Sequence, residues 1–137
     1  MSDINKAMAI AAAGMRAQSS RMRIISENVA NANSTSKVPG GDPYARKTPV
    51  FSSIMDKEVG ARIVRMNKTV ESNAEFRTVY DPDHPAANEQ GYVKYPNVNT
   101  MIELMDMREA SRSFEANLSV IENSRAMLQR TLELLKR

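Results

Sequence analysis

The residues whose types could support metal chemistry lie in one short turn. His84, the chain's only histidine, is flanked by Asp81 and Asp83, and carboxylate and imidazole groups are metal ligands. The turn is bounded by prolines, however, and the sequence offers neither a second His nor any Cys to complete a coordination sphere. The favoured interpretation is a solvated turn, so we predict no metal ion and no cofactor.

A second set of carboxylates could act as general acids and bases. Glu103, Asp106 and Glu109 follow one another at three-residue spacing, with Arg108 and Arg112 nearby. On a long exposed helix, such residues more often form a solvated, ion-paired face. The sequence contains no glycine-rich phosphate loop, serine-nucleophile motif or zinc-protease motif. We therefore predict that the protein is not an enzyme.

These carboxylates lie in the stretch 101–137, which contains neither Pro nor Gly and has a heptad pattern. Eight of the ten positions that alternate three and four residues apart are apolar. Such a seam is typical of a helix that packs lengthwise on another helix. The helix would span roughly 55 Å, whereas a compact domain of this size has a radius of gyration of about 14 Å. We therefore expect a partner helix and contacts with other subunits. The seam consists of Leu104, Met107, Ser111, Phe114, Leu118, Ile121, Arg125, Leu128, Leu132 and Leu135.

Residues 3–32 have a second helical seam, with small side chains concentrated in its first half. Ser2 or Asp3 can cap this helix, and the Asn-rich stretch 27–35 is expected to end it, because Asn tolerates the left-handed conformation. A membrane-surface helix is a disfavoured alternative, because the polar face is not strongly basic. The seam consists of Ile4, Met8, Ala11, Met15, Gln18, Met22, Ile25 and Val29.

The middle of the chain predicts loops and short strands. Candidate strands cover residues 44–51, 59–66 and 76–80, and residues 81–100 are predicted to return in a loop. We divide the chain into an N-terminal helix (1–33), a small β-rich outer segment (34–100) and a C-terminal helix (101–137). The predicted fold class is mainly α, with the two terminal helices packed as an antiparallel coiled coil.

The two seams also predict how those helices align. Both alternate threes and fours, so an antiparallel pair would keep one register along its length. That register places Met22 across from Leu118, with Val29 across from Ser111 at one end and Met8 across from Leu132 towards the other.

Composition excludes several other classes of protein. The net charge is only +3 and no segment is a basic block, so nucleic acid is not an expected partner. The absence of Cys rules out disulfides. No apolar run is long enough to span a membrane, and the N-terminal apolar stretch, interrupted by Arg16, does not resemble a cleavable secretory signal.

Three motifs resemble those of a known family. NVANANST (28–35) is similar to the Asn-rich signature that follows the N-terminal helix of flagellar axial proteins. YDPDHPAANEQGYVKYPNVN (80–99) and DMREASRSFEAN (106–117) resemble, in the same order and spacing, the proximal-rod proteins of the bacterial flagellar basal body. The motif residues are Asn28, Ala30, Asn31, Asn33, Gly91, Tyr92, Pro96, Asn97, Asn99, Glu109, Ala116 and Asn117.

The resemblance implies a structural subunit of the flagellar rod, in the part of the basal body that spans the periplasm. Such proteins pass through the flagellum-specific type III export apparatus and polymerise helically around a channel. The implied partners are copies of the chain, other proximal and distal rod proteins and the rod–ring adaptor protein. The terminal helices would form the inner tube. The expected assembly interface comprises Met8, Met15, Met22, Ile25, Val29, Leu104, Met107, Phe114, Leu118, Ile121, Leu128 and Leu132.

Two alternatives to a rod subunit follow from the same residues. A soluble coiled-coil adaptor or flagellar secretion chaperone could use the same heptads, but would stay in the cytosolic fraction. A wall-cleaving hydrolase would need a carboxylate pair in a cleft, and the sequence predicts no core that could form one.

Overall fold

The computed structural model describes residues 2–137 and contains two helices and four strands. Helices cover 47% of the chain and strands about 21%. The prediction of a mainly α fold built on an antiparallel coiled coil is therefore wrong. The middle segment forms two small antiparallel sheets, and its backbone pairing is a substantial part of the structure. The elements are α1 (Asp3–Ala30), β1 (Lys47–Asp56), β2 (Ala61–Glu71), β3 (Arg77–Tyr80), β4 (Tyr92–Tyr95) and α2 (Thr100–Leu135).

The chain divides into two compact units. Unit 1 contains the chain up to Met22, together with Val50–Lys68 and Arg108–Arg137. Unit 2 contains Arg23–Pro49 and Thr69–Met107. Both helices and both strands of the first hairpin contribute residues to each unit.

Side chains at the helix ends explain where the helices begin and stop. Ser2 Oγ accepts the backbone N–H of Asn5, and Asn99 Oδ1 accepts those of Met101 and Ile102, so each caps a first turn. α1 does not end through a left-handed Asn, because no non-glycine residue in 2–137 has a positive φ. Instead, the Asn31 side chain folds back and donates to the Glu27 carbonyl at 2.9 Å.

In unit 1, α1 and α2 run antiparallel and approach closely at small residues. A Cβ added to Gly14 would lie 2.8 Å from Asn117 Nδ2, and Arg21 forms an ion pair with Glu109 at 3.4 Å. Met22, next to Arg21 on α1, therefore lies near Glu109 of α2. Glu109 is nine residues before Leu118, which is roughly 13 Å along the axis of α2. The predicted register is wrong, because the helices approach through small side chains rather than through the two rows of large apolar ones.

We expect Gly14→Leu to test this close approach. The added side chain would collide with Asn117, whose amide is already fixed by a 3.0 Å bond to the Ser113 carbonyl. Overpacking of this kind costs about 1–3 kcal/mol, measurable by urea unfolding. Combining Gly14→Leu with Asn117→Ala should recover part of the loss. Equal stabilities of the unaltered chain and Gly14→Leu would contradict the observed register.

The first hairpin turns between β1 and β2 in unit 1. Asp56 Oδ1 accepts the backbone N–H groups of Glu58 and Val59, and the Asp56 carbonyl accepts that of Gly60. Gly60 has a φ of 71°, in the left-handed region that glycine occupies without strain. The aspartate and glycine therefore fix the length of this hairpin.

The second hairpin, in unit 2, contains a strand that the sequence did not predict. β4 lies within the segment expected to be loop, and it pairs antiparallel with β3, with Tyr80 opposite Tyr92. Their rings pack edge to face with centroids 5.3 Å apart, and Val93 is fully buried. The strand has only four residues between Gly91 and Pro96, so it is too short to give a clear pattern in the sequence.

Candidate assembly interface

Asn28, at the start of the Asn-rich motif, is the centre of a polar cluster in unit 2. Its side chain is buried, and its amide forms four hydrogen bonds. Nδ2 donates to the Lys47 carbonyl at 2.8 Å and to Glu103 Oε2 at 3.3 Å. Oδ1 accepts from the Tyr44 hydroxyl at 2.6 Å and from the Lys47 N–H at 2.9 Å. The amide thus uses all its bonding capacity and joins the end of α1, the segment before β1 and the start of α2.

Glu103 supplies the buried charge of this cluster. Its side chain is 1% exposed, and one carboxylate oxygen accepts from Arg46 Nε. The Arg46 guanidinium also reaches Asp106 at 3.3 Å, and its backbone N–H donates to Asn97 Oδ1 at 2.7 Å. The interpretation of Glu103 as part of a solvated, ion-paired face is therefore wrong about solvation, although the ion pair is present. A carboxylate so deeply buried needs a charged partner and further hydrogen bonds, and both are present.

Tyr44 completes the cluster and has a perturbed pKa. Burial, and then the negative charges of Glu27, Glu103 and Glu71, raise the pKa of its phenol to about 12. Both causes disfavour the phenolate, because it would be poorly solvated and close to other anions. Lys47, which forms an ion pair with Glu27, lies 5.6 Å from the centre of the Tyr44 ring.

We expect the cluster to make the protein sensitive to alkali. In the unfolded chain Tyr44 ionises with a pKa of about 10, so the higher folded pKa means that its stabilising contribution is complete below about pH 10. That contribution is lost as the pH rises towards about 12. Denaturant unfolding across this range should show a steeper loss for the unaltered chain than for Tyr44→Phe. If the unaltered chain and Tyr44→Phe lost stability identically with pH, the attribution of the alkaline loss to Tyr44 would be contradicted.

The residues predicted to form the assembly interface divide into two classes by exposure. Of the twelve, Ile25 is buried and eight are half-buried. The other three are exposed and are evenly spaced along α2: Leu104 at 53%, Leu118 at 38% and Leu132 at 58%. We call these three the exposed row. The half-buried residues are Met8, Met15, Met22, Val29, Met107, Phe114, Ile121 and Leu128.

One row of the α2 seam is thus covered within the chain and the other is open. Met107, Phe114, Ile121 and Leu128 are half-buried. Next to the half-buried row, on the side away from the exposed row, lie the most buried positions of α2: Glu103, Ala110 and Ser124, which are small or polar and follow a seven-residue period. The role of the exposed row in assembly stays a prediction, developed below.

The motif residues do not form one site. Asn28, Gly91 and Pro96 are buried, and Asn31, Asn97 and Asn117 are half-buried. Within unit 2, the Asn97 side chain donates to the carbonyls of Ser72 and Ala74, so it links the segment after β4 to the segment after β2. The remaining six are exposed: Ala30, Asn33, Tyr92, Asn99, Glu109 and Ala116.

His84 has a structural role in its turn. Its Nδ1 accepts the Ala86 N–H at 3.0 Å. Across residues 2–137, no three His, Cys, Asp or Glu side chains are grouped so that they could hold a metal ion. In the same part of the chain, neither helix has the length and apolar composition needed to cross a membrane.

Comparison with known proteins gives the same family as the motifs. Residues 89–134 match the family model described as the C-terminal region of the flagellar basal body rod FlgEFG proteins. The chain is 48% identical to the flagellar basal-body rod protein FlgC of Agrobacterium fabrum, over 99% of this chain and 98% of that protein. It is 36% identical to FlgC of Aquifex aeolicus over 99% of this chain and all of that protein. It is 34% identical to FlgC of Bacillus subtilis over 93% and 95% of the two chains. Because these similarities extend over nearly the whole of each protein, the chain belongs to the FlgC family of flagellar basal-body rod proteins.

Proposed function

We propose that the protein is a structural subunit of the flagellar basal-body rod. The single observation that carries this is the exposed row of α2, seen in a chain that belongs to a rod-protein family. Apolar side chains at regular helical spacing, left uncovered within one chain, suit burial against a neighbouring subunit. The relatives are named as rod proteins, and a structural role of this kind is consistent with a protein that is not an enzyme.

The proposal includes finer features. Copies of the chain polymerise helically with other rod proteins around the export channel, and the rod–ring adaptor links them to the membrane ring. The terminal helices line the inner tube and the β-rich middle segment faces outward. The chain reaches the rod through the flagellar type III apparatus without a cleavable signal. These features rest on the family resemblance.

Fractionation tests the proposal against the adaptor or chaperone alternative. Basal bodies extracted with detergent should retain the protein through high-salt washing, because a rod subunit is held by many neighbours. A chaperone or adaptor would be recovered in the cytosolic fraction. Recovery of all the protein in that fraction, in cells that carry complete flagella, would overturn the proposal.

A further inference from the structure

The two units of the chain carry opposite net charges. Unit 1 contains 13 Lys and Arg against seven Asp and Glu, and unit 2 contains six against nine, which together account for the chain's 19 basic and 16 acidic residues. The formal net charges are therefore +6 and −3, and they add up to the +3 of the whole chain. Between two copies, contact between unlike units is electrostatically favoured over contact between like units.

Unit 1 has a groove between α1 and β2 whose volume is about 240 Å³. Its floor is apolar and closely packed, with Ala13, Ala17 and Ile63 all buried. Arg16 and Arg65 are exposed and lie at its margin. The volume is below the roughly 300–1,000 Å³ of small-molecule sites, so the groove suits one or two side chains of a protein. We call it the arginine groove.

The charges at this groove are available to a partner. Within residues 2–137, neither Arg16 nor Arg65 forms an ion pair, and exposed Lys68 follows on the same strand. Guanidinium groups bind carboxylates in charge-assisted pairs and also stack on aromatic rings. The arginine groove therefore favours a segment that presents acidic side chains next to an aromatic one.

Unit 2 presents such a segment. Residues 78–93 contain Asp81, Asp83 and Glu89 but neither Lys nor Arg, and Asp83 and Glu89 are exposed. At the base of the turn, Tyr80 is 64% exposed and Tyr92 is 45% exposed. We call residues 80–92 the acidic turn. Its carboxylates and aromatic rings are complementary in charge and chemistry to the arginine groove.

We propose that the acidic turn of one copy docks into the arginine groove of a second copy. This inference rests on the proposed rod function and names a contact within that assembly. The two surfaces are different, so the interface is heterologous, and repetition of a heterologous contact that does not close a ring builds an open helical array. Exposed charges at the margin steer the approach of the copies and are screened by salt.

Disulfide cross-linking tests the contact directly, because the chain has no cysteine of its own. Two differently tagged chains each carry one cysteine. One chain has Cys in place of Ser20, which lines the groove, and the other has Cys in place of Gln90, which is exposed in the turn. Both chains are expressed in one cell, and isolated basal bodies are oxidised. We expect a mixed dimer of S20C with Q90C well above the background of a control pair, N123C with Q90C.

Charge reversal then tests the cause of the contact. Adding R16E and R65E to all chains should reduce the mixed dimer by about tenfold, because carboxylates would face carboxylates. Adding D83K and E89K as well should restore it, since the pairing is then reversed on both sides. Failure of this restoration, with folded protein present, would overturn the electrostatic pairing.

Other outcomes separate this inference from the proposed function. Basal bodies that contain the protein but give no mixed dimer above the control would overturn the docking and leave the rod function standing. Basal bodies without the protein would overturn both. Cross-linking of S20C to a different protein, with none to Q90C, would overturn the choice of a second copy as the occupant.

Discussion

Glu103→Ala is expected to lower the free energy of unfolding by about 3–5 kcal/mol, the cost of breaking a buried ion pair from one side. The substitution leaves the half-buried Arg46 guanidinium without its most buried partner. It also removes an acceptor from the Asn28 amide. Denaturant unfolding of the purified chain measures the loss.

A matched substitution isolates the effect of burial. Glu122→Ala makes the same chemical change at an exposed position of the same helix and should change stability by no more than about 0.5 kcal/mol. Combining Arg46→Met with Glu103→Leu should recover part of the lost stability, because neither charge of the buried Arg46–Glu103 pair is then left without its partner. Equal effects of Glu103→Ala and Glu122→Ala would show that the buried pair contributes nothing.

Leu118→Glu is expected to abolish rod assembly and motility while leaving the isolated chain folded. Leu118 is 38% exposed in the single chain, so a glutamate there remains in contact with water. In a rod, the same carboxylate would be buried against a neighbour, which costs several kcal/mol unless it is paired. Swimming assays and electron microscopy of basal bodies measure the outcome, and circular dichroism checks the fold.

Asn123→Glu is the control, because it adds the same charge at an exposed position of α2 outside the exposed row. This variant should swim normally. Leu118→Met, which keeps the side chain apolar, should also assemble. Normal motility with Glu at position 118 would remove the exposed row from the interface.

The sequence was sufficient to predict the helices but not the face along which they meet. Alternation of threes and fours in apolar residues predicted both α1 and α2. The same alternation could not predict where the two helices approach most closely, because that position depends on the sizes of the side chains between them. Gly14 lets α1 approach Asn117 more closely than any seam residue would permit. Weighting small residues as contact positions would have favoured the observed register.

The polar cluster was inaccessible to sequence reasoning for a different reason. Asn28 alone is compatible with a helix end, and Glu103 alone with a solvated face. Their structural role depends on the hydrogen bond between Asn28 Nδ2 and Glu103 Oε2, which are 3.3 Å apart although 75 positions separate the two residues in the chain. The family motif marked Asn28 as notable but gave no reason for it. Similarly, β4 is stabilised by pairing with β3 rather than by a periodic pattern of its own.

The separation between Asn28 and Glu103 also bears on the order in which the chain folds. The bond closes a loop of 75 positions, with an entropic cost of roughly 4 kcal/mol. Contacts between distant parts of a chain form late, because closure must precede any gain from the contact. A chain that emerges from a narrow conduit from either end cannot form this bond until both segments are free. If the chain is exported as proposed, the polar cluster can therefore be completed only when all of residues 28–103 are free, whichever end emerges first.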